Sequence, residues 1–206
     1  MQTRLLPASL AFVILLFISA CNNDDPAPVG NAENTVTIEG VEYETITIGM
    51  QTWTSSNYAG PGGIAFDDTN SKPEYGKYYS RIEAEAIRVP AGWRLPTKQD
   101  YEKLAAFYGI TFPTNGTHTE SIKALTSKSN WNHVLGTNTS GFNAHPGGYI
   151  FQNSKPIPGD IAEFWTSEGI TLSIQEAGTG LTNLRIAFYQ SDNSPDYKFN
   201  VRFIKD

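Results

Sequence analysis

Apolar and polar residues alternate most plainly just past position 35. Val36 and Ile38 alternate with polar neighbours, Glu39-Gly40 supplies a turn, and residues 41–48 alternate again before Gly49-Met50 and Gln51-Thr52-Trp53-Thr54. A period of two broken by short turns predicts hairpin connections in an antiparallel meander. The period changes at Thr97. Tyr101, Leu104, Ala105 and Tyr108 fall at i, i+3, i+4 and i+7, which is one face of a helix. Pro96 holds Leu95 extended, Thr97 and Asp100 have capping-box spacing, and Gly109 suits a helix end, so a helix is expected over 97–108. Further helices are expected over 78–89, with Tyr78, Ile82 and Ala86 in phase, and over 120–128, with Ile122 and Leu125 inward. Strands are expected over 162–167, 182–189 and 197–204. Residues 59–76 and 129–159 are rich in glycine and proline and show no sustained period, so both read as loops. The pattern predicts one domain of the α+β kind.

Composition supports a loop-rich folded domain with large rings in its core. Of 206 residues, 39% are apolar, 12% aromatic and only 17% charged, with 18 Gly and 12 Pro. The net charge is −6 and there is no basic run, which argues against nucleic acid and against attraction to anionic membrane surfaces. The single cysteine changes the picture. Cys21 follows Ile18-Ser19-Ala20 and an apolar run with Arg4 ahead of it, the layout of an export signal. That run is roughly 14 residues, shorter than the ~18–20 that span a bilayer. Ile-Ser-Ala-Cys resembles a bacterial lipobox, which implies a signal peptide over 1–20, cleavage before Cys21 and its lipidation. Acyl chains would then be the protein's only attachment to a membrane. Residues 21–34 are polar and proline-containing and read as a tether; Asp24-Asp25 resembles surface-export signals of Bacteroidetes-type lipoproteins. The expected location is the outer membrane, facing the exterior or, alternatively, the periplasm.

Several segments resemble one family in the same order: Val41 to Trp53 with Ile48-Gly49-Met50-Gln51, Tyr75-Gly76-Lys77-Tyr78-Tyr79, and Pro90-Ala91-Gly92-Trp93-Arg94-Leu95-Pro96. They continue with Gly136 to Ala144, Gly147-Gly148-Tyr149, Phe164-Trp165-Thr166-Ser167 and the terminal Val201-Arg202-Phe203. Residues 35–206 are similar to the Fibrobacter succinogenes major paralogous domain, with departures at Asn57-Tyr58 and at Val89 and Phe203, where that family often carries cysteines. That family in turn resembles the C-type-lectin-like fold shared with formylglycine-generating oxidases. The implied architecture is a small twisted antiparallel sheet, two main helices and long loops. Arg94-Leu95-Pro96-Thr97 is close to an oxidase motif, but the oxidases need a late cysteine pair and Cys21 is the lone cysteine here. The resemblance therefore implies a binding domain and not an enzyme.

Other catalytic signatures are weak. Ser140, His145 and Glu163 supply triad residue types without a Gly-x-Ser-x-Gly elbow. Asp67, Asp68, Asp192 and Asp196 offer oxygen ligands in loops and are calcium candidates, although Asp and Asn also simply favour turns; no other cofactor is expected. Trp131 lies between Asn130 and Asn132-His133, and a ring flanked by amides and an imidazole suits stacking on a sugar. Asn138 and Tyr149 join it as candidate contacts, with a loop-pinning role as the alternative for each. The expected function is a lipid-anchored surface protein that binds a glycan or an extracellular protein, in adhesion or polysaccharide capture. A structural part of a surface appendage is the alternative, and a polysaccharide hydrolase the third reading.

Overall fold

The computed structural model describes residues 34–114, 116–190 and 196–206. The signal peptide, Cys21, nearly all of the tether and Asp192 lie outside these residues. Twelve strands and three α-helices follow in order among the described residues. They are β1 (Thr35–Ile38), β2 (Val41–Ile48), β3 (Gln51–Thr54), β4 (Ile64–Ala65), β5 (Lys77–Tyr78), α1 (Arg81–Ala86), β6 (Trp93–Arg94), α2 (Lys98–Phe107) and α3 (Thr119–Lys123). The chain continues with β7 (Ile150–Phe151), β8 (Ile161–Trp165), β9 (Ile170–Ala177), β10 (Asn183–Gln190), β11 (Tyr197–Lys198) and β12 (Ile204–Lys205).

The expected α+β, C-type-lectin-like architecture is corrected. The helices have six, ten and five residues, whereas β2, β9 and β10 have eight each. The fold is mostly β, with antiparallel sheet curled into a half-barrel. Local chemistry explains why two helices are so short. Tyr78 pairs with Ile64 in β5, so the first helix begins only after Ser80, whose capping box with Glu83 starts it. Thr126 forms a bridge with Ala144, which ends the helical path from α3 well before residue 128.

The first sheet has the order β1-β2-β3-β12-β6. Glu39 and Gly40 both take positive φ (47° and 84°), as a two-residue hairpin turn requires. The last strand enters between β3 and β6, with Ile204 opposite both Trp53 and Arg94. Trp53 then meets Tyr101 of α2 at 5.2 Å and Phe142 edge-on at 5.7 Å. α2 is anchored as its sequence suggests. Thr97 Oγ1 accepts from the Asp100 N–H, Asp100 accepts from the Thr97 N–H, and Arg94 adds an ion pair to Asp100 at 2.6 Å.

The second sheet, β10-β9-β8, is antiparallel. β9 is its centre and was not expected from the sequence, although Leu172 and Ile174 alternate there with Thr171, Ser173 and Gln175. Its inner face carries Ala162, Phe164, Leu172, Ile174, Leu184 and Ile186 into the main core. The outer face carries Glu163, Thr171, Ser173, Gln175 and Tyr189, because residues paired across a ladder share a face.

The terminal segment departs from the single strand expected over 197–204. Only its two ends pair as strands, and Asn200 and Arg202 between them are fully buried with the apolar residues. Arg202 donates to Asn57 Oδ1, Thr54 O and Asn143 O, and lies over the Phe142 ring at 4.8 Å. The loop over 129–159 is structured by special backbone positions. Gly148 has φ 70°, and a Cβ there would sit 2.3 Å from Ile157 O.

Candidate functional site

A cleft opens on the outer face of the β8-β9-β10 sheet. Two adjoining hollows, each of about 350 Å³, share Tyr149, Ile161 and Gln175. Together they reach the size of a small-ligand site. Gly148 turns the chain so that β7 follows beside β8, and β7 pairs with β11 through Phe151 opposite Tyr197. This brings a run of rings over the polar strand face. Phe151 and Tyr197 lie 4.6 Å apart, Tyr197 and Phe199 stack at 5.7 Å, and Tyr149 packs at 5.6 Å from Phe199. Trp165 meets Phe199 edge-on at 4.8 Å and fixes the row from below by donating to Tyr79 O. Tyr149, Phe151 and Tyr189 remain more than a third exposed, so the row keeps usable surface.

The polar half of the site comes from β8, β9 and β10. Gln175 Oε1, in the orientation that satisfies the amide, accepts from the Tyr189 hydroxyl at 2.7 Å and from Arg185 Nε at 2.9 Å. Glu163 lines the cleft with 5% of its surface exposed. Its Oε1 accepts from the Thr171 hydroxyl at 2.6 Å. Burial lifts its carboxyl to about 7, with the Thr171 hydrogen bond opposing. Burial first, and then the Glu163 charge, raise Tyr149.

Of the sequence candidates, the structure brings Tyr149 and Glu163 into this cleft, Glu163 without the Ser140 and His145 named beside it. Trp131 is 4% exposed and belongs to the main core, so its ring offers no face to a sugar. Asn132 is exposed, and its backbone N–H donates to Gly159 O. His133 is clamped. Glu176, with no exposed side-chain surface, accepts from the His133 and Val134 N–H groups and from the His133 ring at 2.7 Å. Asn138 shapes its own loop, accepting from the Asn143 N–H at positive φ. Asn132, His133 and Asn138 line neither hollow of the cleft.

The other candidates are dispersed as well. Ser140 donates to Ala124 O, and His145 packs against Tyr75, so neither bonds Glu163. Asp67 and Asp68 line a further hollow of about 540 Å³, which shares Ser154 and Lys155 with one hollow of the cleft. Asp67 is committed to its own turn, accepting from the hydroxyls and N–H groups of Ser71 and Thr69. The Ser71 hydroxyl above all holds its carboxyl down at about 2. Asp196 lies elsewhere, beside β11, with its carbonyl accepting from Gln152. No group of three or more His, Cys, Asp or Glu able to hold a metal occurs among the described residues.

Sequence reasoning passed over Glu163, Gln175, Tyr189 and Tyr197 as a group. The usable signal was the Thr-x-Ser-x-Gln alternation of β9, which places a polar stripe on a strand whose other face is core. Compared with known proteins, residues 31–205 match the family described as the Fibrobacter succinogenes major domain. No curated protein and no solved structure matches the chain. The chain belongs to the Fibrobacter succinogenes major domain family.

Proposed function

We propose that this chain is a lipid-anchored envelope protein whose domain binds a glycan in the Tyr149–Tyr189–Tyr197 cleft without transforming it. The observation that carries this reading is the pairing of a ring row with a polar strand face across one open cleft. Tyrosine faces stack on the apolar side of a sugar ring, while amide, hydroxyl and carboxyl groups bond its edge. The lipobox at Cys21 supports the anchor and the envelope location. Among the described residues the cleft holds two carboxylates, Glu163 in one hollow and Asp160 in the other, so the absence of released sugar on a glycan panel is what separates binding from cleavage. Glycoside hydrolysis commonly uses two flanking carboxyl groups.

The test is a glycan panel probed with the full-length protein and with Tyr149→Ala and Tyr189→Ala. Each variant should weaken binding about tenfold, worth ~1.4 kcal/mol. Absence of binding to every glycan, or binding indifferent to both tyrosines, rejects the reading.

A further inference from the structure

The fold satisfies its other buried carboxylates fully. Glu176 accepts two backbone N–H groups and an imidazole, and Asp100 accepts from Thr97 and Arg94. Glu163 is the exception, and it is the one that lines the cleft. One of its oxygens takes the Thr171 hydroxyl, and the other has no hydrogen bond among the described residues. Directly across the ladder, the Ser173 hydroxyl is buried without a hydrogen-bond partner among the described residues.

No cation among the described residues answers the charge. Arg185 is engaged by Gln175 and Tyr189, Lys198 is held by Glu83 at 3.1 Å, and Lys155 lines the adjoining hollow instead. A carboxylate buried to this degree without a counter-ion is costly. Tyr149, Tyr189 and Tyr197 line the same hollow, and aromatic rings attract ammonium groups.

We infer that the Glu163 hollow takes a positively charged amino group supplied by the ligand, so that the glycan bound is one carrying free amines. The inference rests on the glycan reading and narrows it to a subclass. An ammonium would complete the missing ion pair and lie against the tyrosine faces at once. An N-acetylated or neutral sugar would instead bury the Glu163 charge further without compensating it.

Calorimetric titration of the full-length protein with a glucosamine oligomer and with the matching N-acetylglucosamine oligomer, at neutral pH, tests this. The free-amine oligomer should bind more tightly by about tenfold or more, and Glu163→Gln should erase that preference. The Glu163→Gln protein should melt no lower than wild type, since a neutral amide is easier to bury there. Equal affinities in wild type, or a preference that survives Glu163→Gln, overturns the inference. If neutral glycans on the panel bind while the amine confers nothing, the glycan reading stands and this narrowing falls. If no oligomer and no panel glycan binds, both fall.

Discussion

Glu163 and Arg202 are opposite solutions to burying a charge. Arg202 has no carboxylate within ion-pair distance among the described residues, yet three oxygens and two ring faces receive its guanidinium. Burial still pulls its pKa down. Arg202→Lys should cost about 3–5 kcal/mol in urea unfolding, because one ammonium cannot reach acceptors set around a planar fork. Glu163 lacks such partners. Its carboxyl moves from 4.5 to about 7 on folding, so the folded state prefers it protonated. That preference is fully expressed below pH ~4.5 and disappears as pH rises through about 7, a loss of about 3 kcal/mol. Glu163→Gln removes the effect. The variant should equal wild type in stability at low pH and exceed it above pH ~7 by roughly that amount. Denaturant midpoints measured at both ends of the range check the sign.

At the scale of the element, the Thr97–Asp100 joint carries several roles on one carboxylate. Asp100 completes the cap of α2 and also receives Arg94 of β6, which in turn binds Asp206 beside β12. Thr97→Ala should cost about 1 kcal/mol, the usual value of an N-cap, and Asp100→Ala clearly more. Whereas the Arg94–Asp206 pair joins residues 112 positions apart, the Thr97–Asp100 cap was legible in the sequence because its partners lie three positions apart. So was the inward face of α2. The cleft was not, because Tyr149, Glu163, Gln175, Tyr189 and Tyr197 belong to separate strands and meet only through register. Trp131 shows a second way sequence misleads. Its neighbours are polar and Asn132 and His133 are exposed, but in an irregular loop neighbouring side chains need not share a direction. The ring went to the core. Trp131→Ala should therefore destabilise by about 3–5 kcal/mol, and any binding it loses would report lost packing and not a lost contact. Thermal melts of that variant separate the two.

At the scale of the molecule, the two sheets divide the work. The β1-β2-β3-β12-β6 sheet, α2 and the buried terminal segment hold the core. The β10-β9-β8 sheet offers its outer face, and the β7–β11 pair lays rings across it. A mostly β fold follows from the strand-rich last third, with Tyr101, Leu104 and Ala105 of α2 and Ile122 of α3 packed into the same core. The most direct test is to titrate the full-length protein with a sugar oligomer selected from the glycan panel, comparing wild type with Tyr149→Ala and Tyr189→Ala. Saturable binding weakened about tenfold by each change, with unchanged melting curves, is the predicted result. Binding of equal strength in all three proteins would place the ligand elsewhere and contradict the assignment of the cleft.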